Sequence, residues 1–122
     1  MNYRNVIKEI LRNYKLQLEV NEDVKVRVRN YKTRAALSNL KTKTIYINRN
    51  LLDLGEDVLG YLILHELLHI KLNSKYHNDA FYKMLYEYIP LEKIMYIRTK
   101  IRERLLQVQI SNIKRTSFPA HL

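Results

Sequence analysis

The stretch from Glu56 to Leu72 constrains the fold more than any other part of this sequence, because it is apolar nearly all round. Its apolar residues are Val58, Leu59, Leu62, Ile63, Leu64, Leu67, Leu68 and Ile70. Gly55 ends the segment before it, and Glu56 and Asp57 suit the positive end of a new helix. A helix that is hydrophobic on every side must be covered on every side. The sequence therefore predicts a central, buried helix.

The residues before this helix predict one further helix and a small sheet. Residues 3–14 have apolar side chains at helical spacing. In "VKVRVRN", residues 24–30, valines alternate with basic residues, which indicates a half-buried strand with a basic outer face. Extended pieces at Thr33–Ser38 and Lys41–Asn48, with Asn39 as a turn residue, complete a three-stranded antiparallel or mixed sheet.

Two helices are expected after the central one. Asn78 or Asp79 can cap the first, which extends to about Tyr88, and Pro90 separates it from a last helix over Leu91–Ile110. The buried stripe of the last helix is Ile94, Ile97, Ile101, Leu105 and Val108. Residues 111–122 show no periodicity. We therefore expect an α+β fold, with one domain over residues 1–110 and a C-terminal tail over residues 111–122.

Composition narrows the functional classes. The 122 residues include no cysteine, which excludes disulfides and cysteine-ligated metal. The N-terminus lacks the features of a secretory signal, and no apolar run is long enough to span a bilayer, so we expect a cytoplasmic protein without a membrane partner. Lys and Arg number 22 against 12 Asp and Glu, a net charge of +10, which is compatible with an acidic partner such as nucleic acid.

Two groups of basic residues are candidates for a nucleic-acid surface. They are Lys25, Arg27 and Arg29 on the outer face of the first strand, and Lys93, Lys100 and Arg104 on the last helix. An ordinary solvated face is the alternative interpretation of both groups.

Three of the four histidines lie between Leu62 and Phe81, and two of them form the motif H-E-x-x-H, His65 to His69, within the predicted buried helix. Four residues make slightly more than one turn, so both imidazoles project from nearly the same side and can bind one ion. Glu66 lies about 100° around the helix from His65, beside the metal, where a general base would act on a metal-bound water. A core role is the alternative, but burying two histidines and a glutamate without metal or partners is costly.

A catalytic zinc requires a third protein ligand and an open position for water. His77 is the leading candidate, because the connector with Asn73 and Ser74 allows the chain to turn back. Asp79 is a nearby substitute. Glu87 is the stronger rival, since one branch of the H-E-x-x-H enzymes uses a glutamate from the following helix as its third metal ligand. Zinc itself is inferred from ligand type.

The stretch from Tyr31 to Leu85 resembles the small zinc metallopeptidases of the SprT, WLM and YgjP type and the minimal gluzincin-like proteases. The resemblance rests on the strand ending in "IN", the helix with "HELLH", and "HNDAF". It implies a zincin-like fold with the substrate along a sheet edge, zinc on His65, His69 and His77, and Glu66 as base. "YKTRAALS" lacks the tryptophan and glycine usual at that place in the family.

Three functions are compatible with these patterns. The first is a zinc peptidase that hydrolyses protein or peptide substrates through a metal-activated water, with Glu66 as general base and acid. The second is the same chemistry on nucleic acid-bound protein, as the SprT and WLM resemblance implies. The third is a latent enzyme or a non-catalytic zinc-binding module, in which His121 of the tail could reach a metal.

The guesses for a residue that stabilises the transition state are Tyr76, Tyr82 and Arg34. Tyr82 with Tyr86 also fits core packing.

Overall fold

The structure, a computed structural model, describes residues 2–117, and the side chains of residues 2–113. Its elements are α1 (Tyr3–Leu18), β1 (Lys25–Arg29), β2 (Ala36–Asn39), β3 (Thr44–Asn48), a 3-10 helix (Arg49–Leu54), α2 (Glu56–Leu72), α3 (Asp79–Tyr88) and α4 (Leu91–Ser117). This α+β arrangement confirms the predicted fold class. None of the helices in the described part of the chain is long and apolar enough to cross a membrane.

Helix α2 is the central element, as its composition predicted. Eight of its aliphatic side chains are buried, from Val58 to Ile70, and both sheet and helices contact it. Gly55 precedes it with a φ of 109°, a conformation that favours glycine, and so permits the sharp entry from the 3-10 helix. Helix α1 packs along α2, and α3 and α4 close other sides. The core of the domain is therefore built around the helix that carries the histidine motif.

The sheet is mixed, and its strand order is β1-β3-β2. Strand β3 pairs in parallel with β1 and antiparallel with β2, so the parallel pair excludes a purely antiparallel sheet. As the central strand, β3 buries Ile45 and Ile47 completely. Asn39 is the last residue of β2, and its Oδ1 accepts hydrogen bonds from the backbone of Lys41 and Thr42 at 3.0 and 3.1 Å, which shapes the turn into β3. Strand β2 is left at one edge of the sheet, beside α2.

Asn48, at the end of β3, fixes the loop that leads from β1 to β2. Its side chain is fully buried, and its Nδ2 donates to the carbonyl oxygens of Tyr31 at 2.9 Å and Arg34 at 2.8 Å. Its Oδ1 accepts from the backbone of Asn50 at 3.0 Å and caps the 3-10 helix. One buried amide therefore sets where edge strand β2 begins relative to the sheet.

Helix α4 is longer than predicted and continues from Ile110 to Ser117. Its buried stripe is confirmed for Ile94, Ile97, Ile101 and Leu105. Val108, the last residue of the predicted stripe, is half-buried, and the apolar periodicity ends there, which is why periodicity alone did not extend the helix beyond Ile110. His121 and the end of the predicted tail lie outside the described residues. The domain boundary at residue 110 stays a prediction.

Replacing Asn48 should test its role in the fold. Asn48→Ala leaves two carbonyl groups and a helix cap without their partner, so we expect a loss of about 2–4 kcal/mol in the free energy of unfolding. Urea-induced unfolding followed by circular dichroism measures it. Asn21→Ala, at an exposed asparagine, is the control and should change stability by less than about 0.5 kcal/mol. Equal stability of the two variants would contradict this role.

Candidate metal centre and active-site groove

His65 and His69 lie one turn apart on α2, on the side of the helix that faces α3. Their ring centroids are 5.1 Å apart. His69 is buried at 5 % exposure, and His65 is partly exposed. Glu66, between them, is 6 % exposed and lies with its carboxylate against His65. The helical spacing therefore brings the three side chains of the motif to one partly open place.

A tight turn after α2 returns the chain to this place. Asn73 adopts a left-handed conformation (φ 48°) and ends the helix, and the backbone N–H of Ser74 donates to the carbonyl of His69 at 3.1 Å. Asn78 then caps α3 by accepting a hydrogen bond from the backbone of Phe81 at 3.1 Å. Between these two caps, His77 places its Nε2 at 3.1 Å from the Nε2 of His69.

The hydrogen bonds of two rings identify their tautomers. The Nδ1 of His69 lies 2.8 Å from the carbonyl oxygen of Ser74, and the Nδ1 of His65 lies 3.0 Å from Oε2 of Glu66. A carbonyl and a carboxylate accept hydrogen bonds, so each Nδ1 carries the proton and donates. In the neutral rings each Nε2 then has a free lone pair, and such an outer hydrogen bond is usual for a metal-binding histidine.

The donor set fits one metal ion. One ligand nitrogen from each of His65, His69 and His77 lies within 4.8 Å of the others. Tetrahedral coordination with metal–nitrogen distances near 2.0–2.1 Å separates two ligand nitrogens by roughly 3.3 Å. The 3.1 Å separation between the Nε2 atoms of His69 and His77 is close to that value.

The pKa shifts of these side chains also favour protonation states that suit metal binding. Burial lowers the pKa of His69, and burial together with the neighbouring histidines lowers the pKa of His77, so both rings are neutral at pH 7. Burial by itself would raise the pKa of Glu66, but hydrogen bonds from His65 and Ser38 and the charge of His65 leave it below its ordinary value. Glu66 is therefore a carboxylate beside three imidazoles, a form that accepts protons.

Phe81 holds the three rings in place. Its side chain is fully buried, and its ring centroid lies 4.9, 4.6 and 4.9 Å from those of His65, His69 and His77. It stacks on His69 and meets the other two rings by edges. The phenylalanine of "HNDAF" thus packs against all three imidazoles. The motif itself was visible in the sequence, but this packing role of Phe81 was not predicted from it.

The other residues considered from the sequence lie elsewhere. Asp79 and Glu87 are exposed on α3, and neither belongs to the histidine group found in the described residues. Tyr76 is 66 % exposed, and Tyr82 lies beside His77 with ring centroids 6.2 Å apart and also stacks on Tyr86. Arg34 is exposed and contributes its backbone carbonyl to Asn48.

A groove of about 530 Å³ opens beside His65 and Glu66, between edge strand β2, α2 and α4. Tyr61 forms part of its wall, and its ring centroid lies 5.7 Å from that of His65. Arg98 of α4 also lines it. Periodicity could place Arg98 only on the exposed side of α4; that this side borders the histidine motif depends on how two distant helices pack.

Three clustered imidazoles, an adjacent carboxylate and an open groove on a buried helix define a class of protein, the metal-dependent hydrolases of the H-E-x-x-H type. Residues 1–103 match the YgjP-like metallopeptidase domain. The chain belongs to this family of metallopeptidases, which confirms the resemblance seen in the sequence.

Proteins of similar length are similar to this chain in sequence. An uncharacterised protein of Methanocaldococcus jannaschii is 32 % identical over 101 residues, covering 82 % of this chain and 92 % of the relative. An uncharacterised protein of Aquifex aeolicus is 39 % identical over 82 residues, covering 66 % and 74 % of the two chains. The similarity therefore extends over most of each protein.

Two solved structures have a similar fold. The metallopeptidase zymogen of Pyrococcus abyssi abylysin superposes with a TM-score of 0.75 at 30 % identity, covering 82 % of this chain and 95 % of that one. The metallopeptidase zymogen of Methanocaldococcus jannaschii jannalysin gives a TM-score of 0.73 at 32 % identity, covering 81 % and 89 %. The architecture is thus that of small metallopeptidases.

Removing His77 should release the metal. We expect His77→Ala to weaken zinc binding by more than the roughly 10–100-fold that loss of an outer hydrogen-bond partner costs. Metal content of the purified protein and competition with a chromogenic chelator measure the affinity. Glu87→Ala is the matched control and should retain zinc. The reverse result, with zinc kept in His77→Ala and lost in Glu87→Ala, would move the third ligand to Glu87.

Proposed function

We propose that this protein is a zinc-dependent peptidase in which His65, His69 and His77 hold the ion and Glu66 is the general base and acid. The observation that carries the proposal is the convergence of three imidazoles whose ligand nitrogens lie within 4.8 Å of one another, next to a buried carboxylate. Nitrogen ligands without sulfur, in a set of three that leaves a position open, favour catalytic zinc.

Each side chain of the motif has a distinct task. Bound zinc supplies Lewis acidity, which activates water and polarises a peptide carbonyl. Glu66 takes the proton from the attacking water and returns it to the leaving amine. The edge strand β2 beside α2 offers unpaired backbone groups along which an extended peptide can lie. His65 holds the Glu66 carboxylate at 3.0 Å and so orients it towards the groove.

Glu66→Gln should separate metal binding from catalysis. Glutamine still accepts the hydrogen bond from His65 but cannot take a proton, so hydrolysis should fall by roughly 10²–10⁴-fold with zinc retained. Cleavage of a quenched fluorescent peptide library and metal analysis measure the two properties.

The control for this variant is the wild-type protein treated with a chelator and then reloaded with zinc, which should lose and regain activity. Unchanged hydrolysis by metal-loaded Glu66→Gln would show that another group is the base. Activity that a chelator does not affect would contradict zinc chemistry altogether.

Latency of the isolated chain is part of this proposal, because the abylysin and jannalysin structures are those of metallopeptidase zymogens. A latent chain, or a zinc module without catalysis, would bind the ion and fail to cleave peptides. The activity assays therefore also use a chain that ends at Ser117 and lacks the segment with His121. A gain of activity on truncation would indicate inhibition by that segment. A cytoplasmic location and a domain ending at residue 110 stay predictions.

A second candidate function, action on nucleic acid-bound protein, draws support from a different surface. A groove of about 710 Å³ between α1 and β1 is lined by five cations, by apolar and aromatic side chains and, among the described residues, by no acid. The cations are Arg4, Lys8, Lys25, Arg27 and Arg49. These five cations form a basic strip, which favours binding of the phosphate backbone of a nucleic acid. Arg29 lies next to it, with its guanidinium 4.2 Å from the ring centroid of Tyr46.

The three basic residues of α4 that the sequence offered for a nucleic-acid surface, Lys93, Lys100 and Arg104, are paired within the protein. Lys93 pairs with Asp57 at 3.1 Å, and Lys100 donates to the carbonyl of Leu54 at 3.2 Å. Arg104 donates to Asp53 at 2.6 Å, and this hydrogen bond lowers the pKa of that carboxyl. These cations attach α4 to α2 and the 3-10 helix, so the nucleic-acid proposal rests on the first strand.

The basic strip should bind DNA in a salt-dependent way. With a 20-base-pair fluorescent duplex, we expect affinity to fall as salt rises, and Lys25→Gln with Arg27→Gln to reduce the slope by roughly one unit per lost phosphate contact. Fluorescence anisotropy over a salt series measures it. Lys93→Gln is the control. Absent binding at low salt, or binding that salt does not weaken, would contradict this second function.

A further inference from the structure

The groove beside His65 and Glu66 has two guanidinium groups on its α4 side. Arg98 and Arg102 are one helical turn apart and both line the groove. Apolar side chains form much of the remaining wall. They are Ala35, Ala36, Leu62, Ile101, Leu105 and Leu106. The groove therefore combines an apolar channel with two cations at one side.

These two arginines are uncompensated in the part of the chain that the structure describes. No hydrogen bond or ion pair joins either guanidinium to another described residue, whereas Arg12, Arg104 and Lys93 are all paired with carboxylates. Both side chains are exposed to solvent. Among the residues that the structure describes, no carboxylate therefore pairs with either guanidinium.

The charge of Arg98 acts on the groove wall beside the histidine motif. Burial raises the pKa of Tyr61, which lines the groove, and the positive charge of Arg98 opposes that rise. Glu66 is the single acidic residue among the described residues that line the groove, and it is held by His65. With a divalent ion on the histidines, the groove is strongly positive. An anionic group on its occupant would offset that charge.

We propose that Arg98 and Arg102 select peptides that present a carboxylate to this groove, next to the bond that is cleaved. The proposal rests on the peptidase function above. A planar guanidinium binds a carboxylate through two parallel N–H donors, and two such groups one turn apart can bracket it. The carboxylate can come from an Asp or Glu side chain or from the C-terminus of the peptide, since both present the same group.

A direct role of Arg98 in stabilising the developing oxyanion is the competing explanation. That role would lower kcat for every peptide by the same factor when Arg98 is replaced. Carboxylate selection instead raises KM for carboxylate peptides and leaves neutral peptides unchanged. The two explanations are therefore distinguished by comparing matched substrates.

The binding test uses full-length, zinc-loaded Glu66→Gln protein, so that peptides are not consumed. The probes are three octapeptides with a neutral fluorophore and a common alanine-rich sequence. One has a free C-terminal carboxylate, one has an amidated C-terminus and a single Glu, and one is amidated without an acid. We expect at least one carboxylate peptide to bind about tenfold tighter than the neutral one in fluorescence anisotropy, as one charge-assisted hydrogen bond provides. The arm that shows the preference identifies the source of the carboxylate.

Variants then assign the preference to residues. In the same background, Arg98→Gln with Arg102→Gln should reduce the ratio of affinities to within about twofold, whereas Arg12→Gln, at a cation on α1 that pairs with Glu9, should leave it intact. All three arginines are exposed, and thermal unfolding checks that each variant folds. Equal binding of all three peptides, no binding of any, or a preference that survives the double variant would overturn the proposal.

Hydrolysis assays with the wild-type protein distinguish a failure of carboxylate selection from a failure of the peptidase function. Cleavage of neutral and carboxylate peptides at equal kcat/KM would overturn carboxylate selection and leave the peptidase function standing. A carboxylate preference in binding, together with no cleavage of any peptide by wild-type or truncated protein, would remove the peptidase function and leave the groove assignment standing. An equal fall in kcat for all peptides in Arg98→Gln would overturn selection in favour of the oxyanion role.

Discussion

The burial of α2 is the constraint on which the rest of the structure depends. A helix that is apolar on every side cannot be stable unless other elements cover it, and α1, the sheet, α3 and α4 do so. Two polar residues of this helix, Glu66 and His69, are buried with it and need partners. His65, Ser38 and the Ser74 carbonyl provide them. The demands of the core and the chemistry of the site are thus met by the same packing.

Local capping brings a third histidine to this buried motif. The left-handed Asn73 ends α2, and Asn78 begins α3, so the connector between them is a compact turn with His77 inside it. The fully buried Phe81 then supports all three rings. Because two short-range caps define the turn, the position of His77 is tied to the helix that carries the other two histidines. A site of this kind needs few residues, which suits a domain of this size.

The cations of α4 fall into two groups. Lys93, Lys100 and Arg104 attach α4 to the core, while Arg98 and Arg102 line the groove and have no partner among the described residues. The α1–β1 groove collects a separate set of cations on the opposite edge strand. A net charge of +10 therefore has several distinct origins, and only the contacts of each side chain separate them. Composition alone could indicate an acidic partner but not which surface would meet it.

The sequence by itself determined the central helix, the placement of His65, Glu66 and His69 on one turn, most of the other helices and strands, and the metallopeptidase family. These depend on periodicity and local spacing, which one segment specifies. Only the tertiary structure decided that β1 runs parallel to β3, that His77 and not Glu87 joins the cluster, that α4 continues to Ser117, and that Arg98 borders the metal centre. Strand order, the path of a turn and helix–helix neighbours depend on contacts between residues far apart in the chain, and no single segment encodes them.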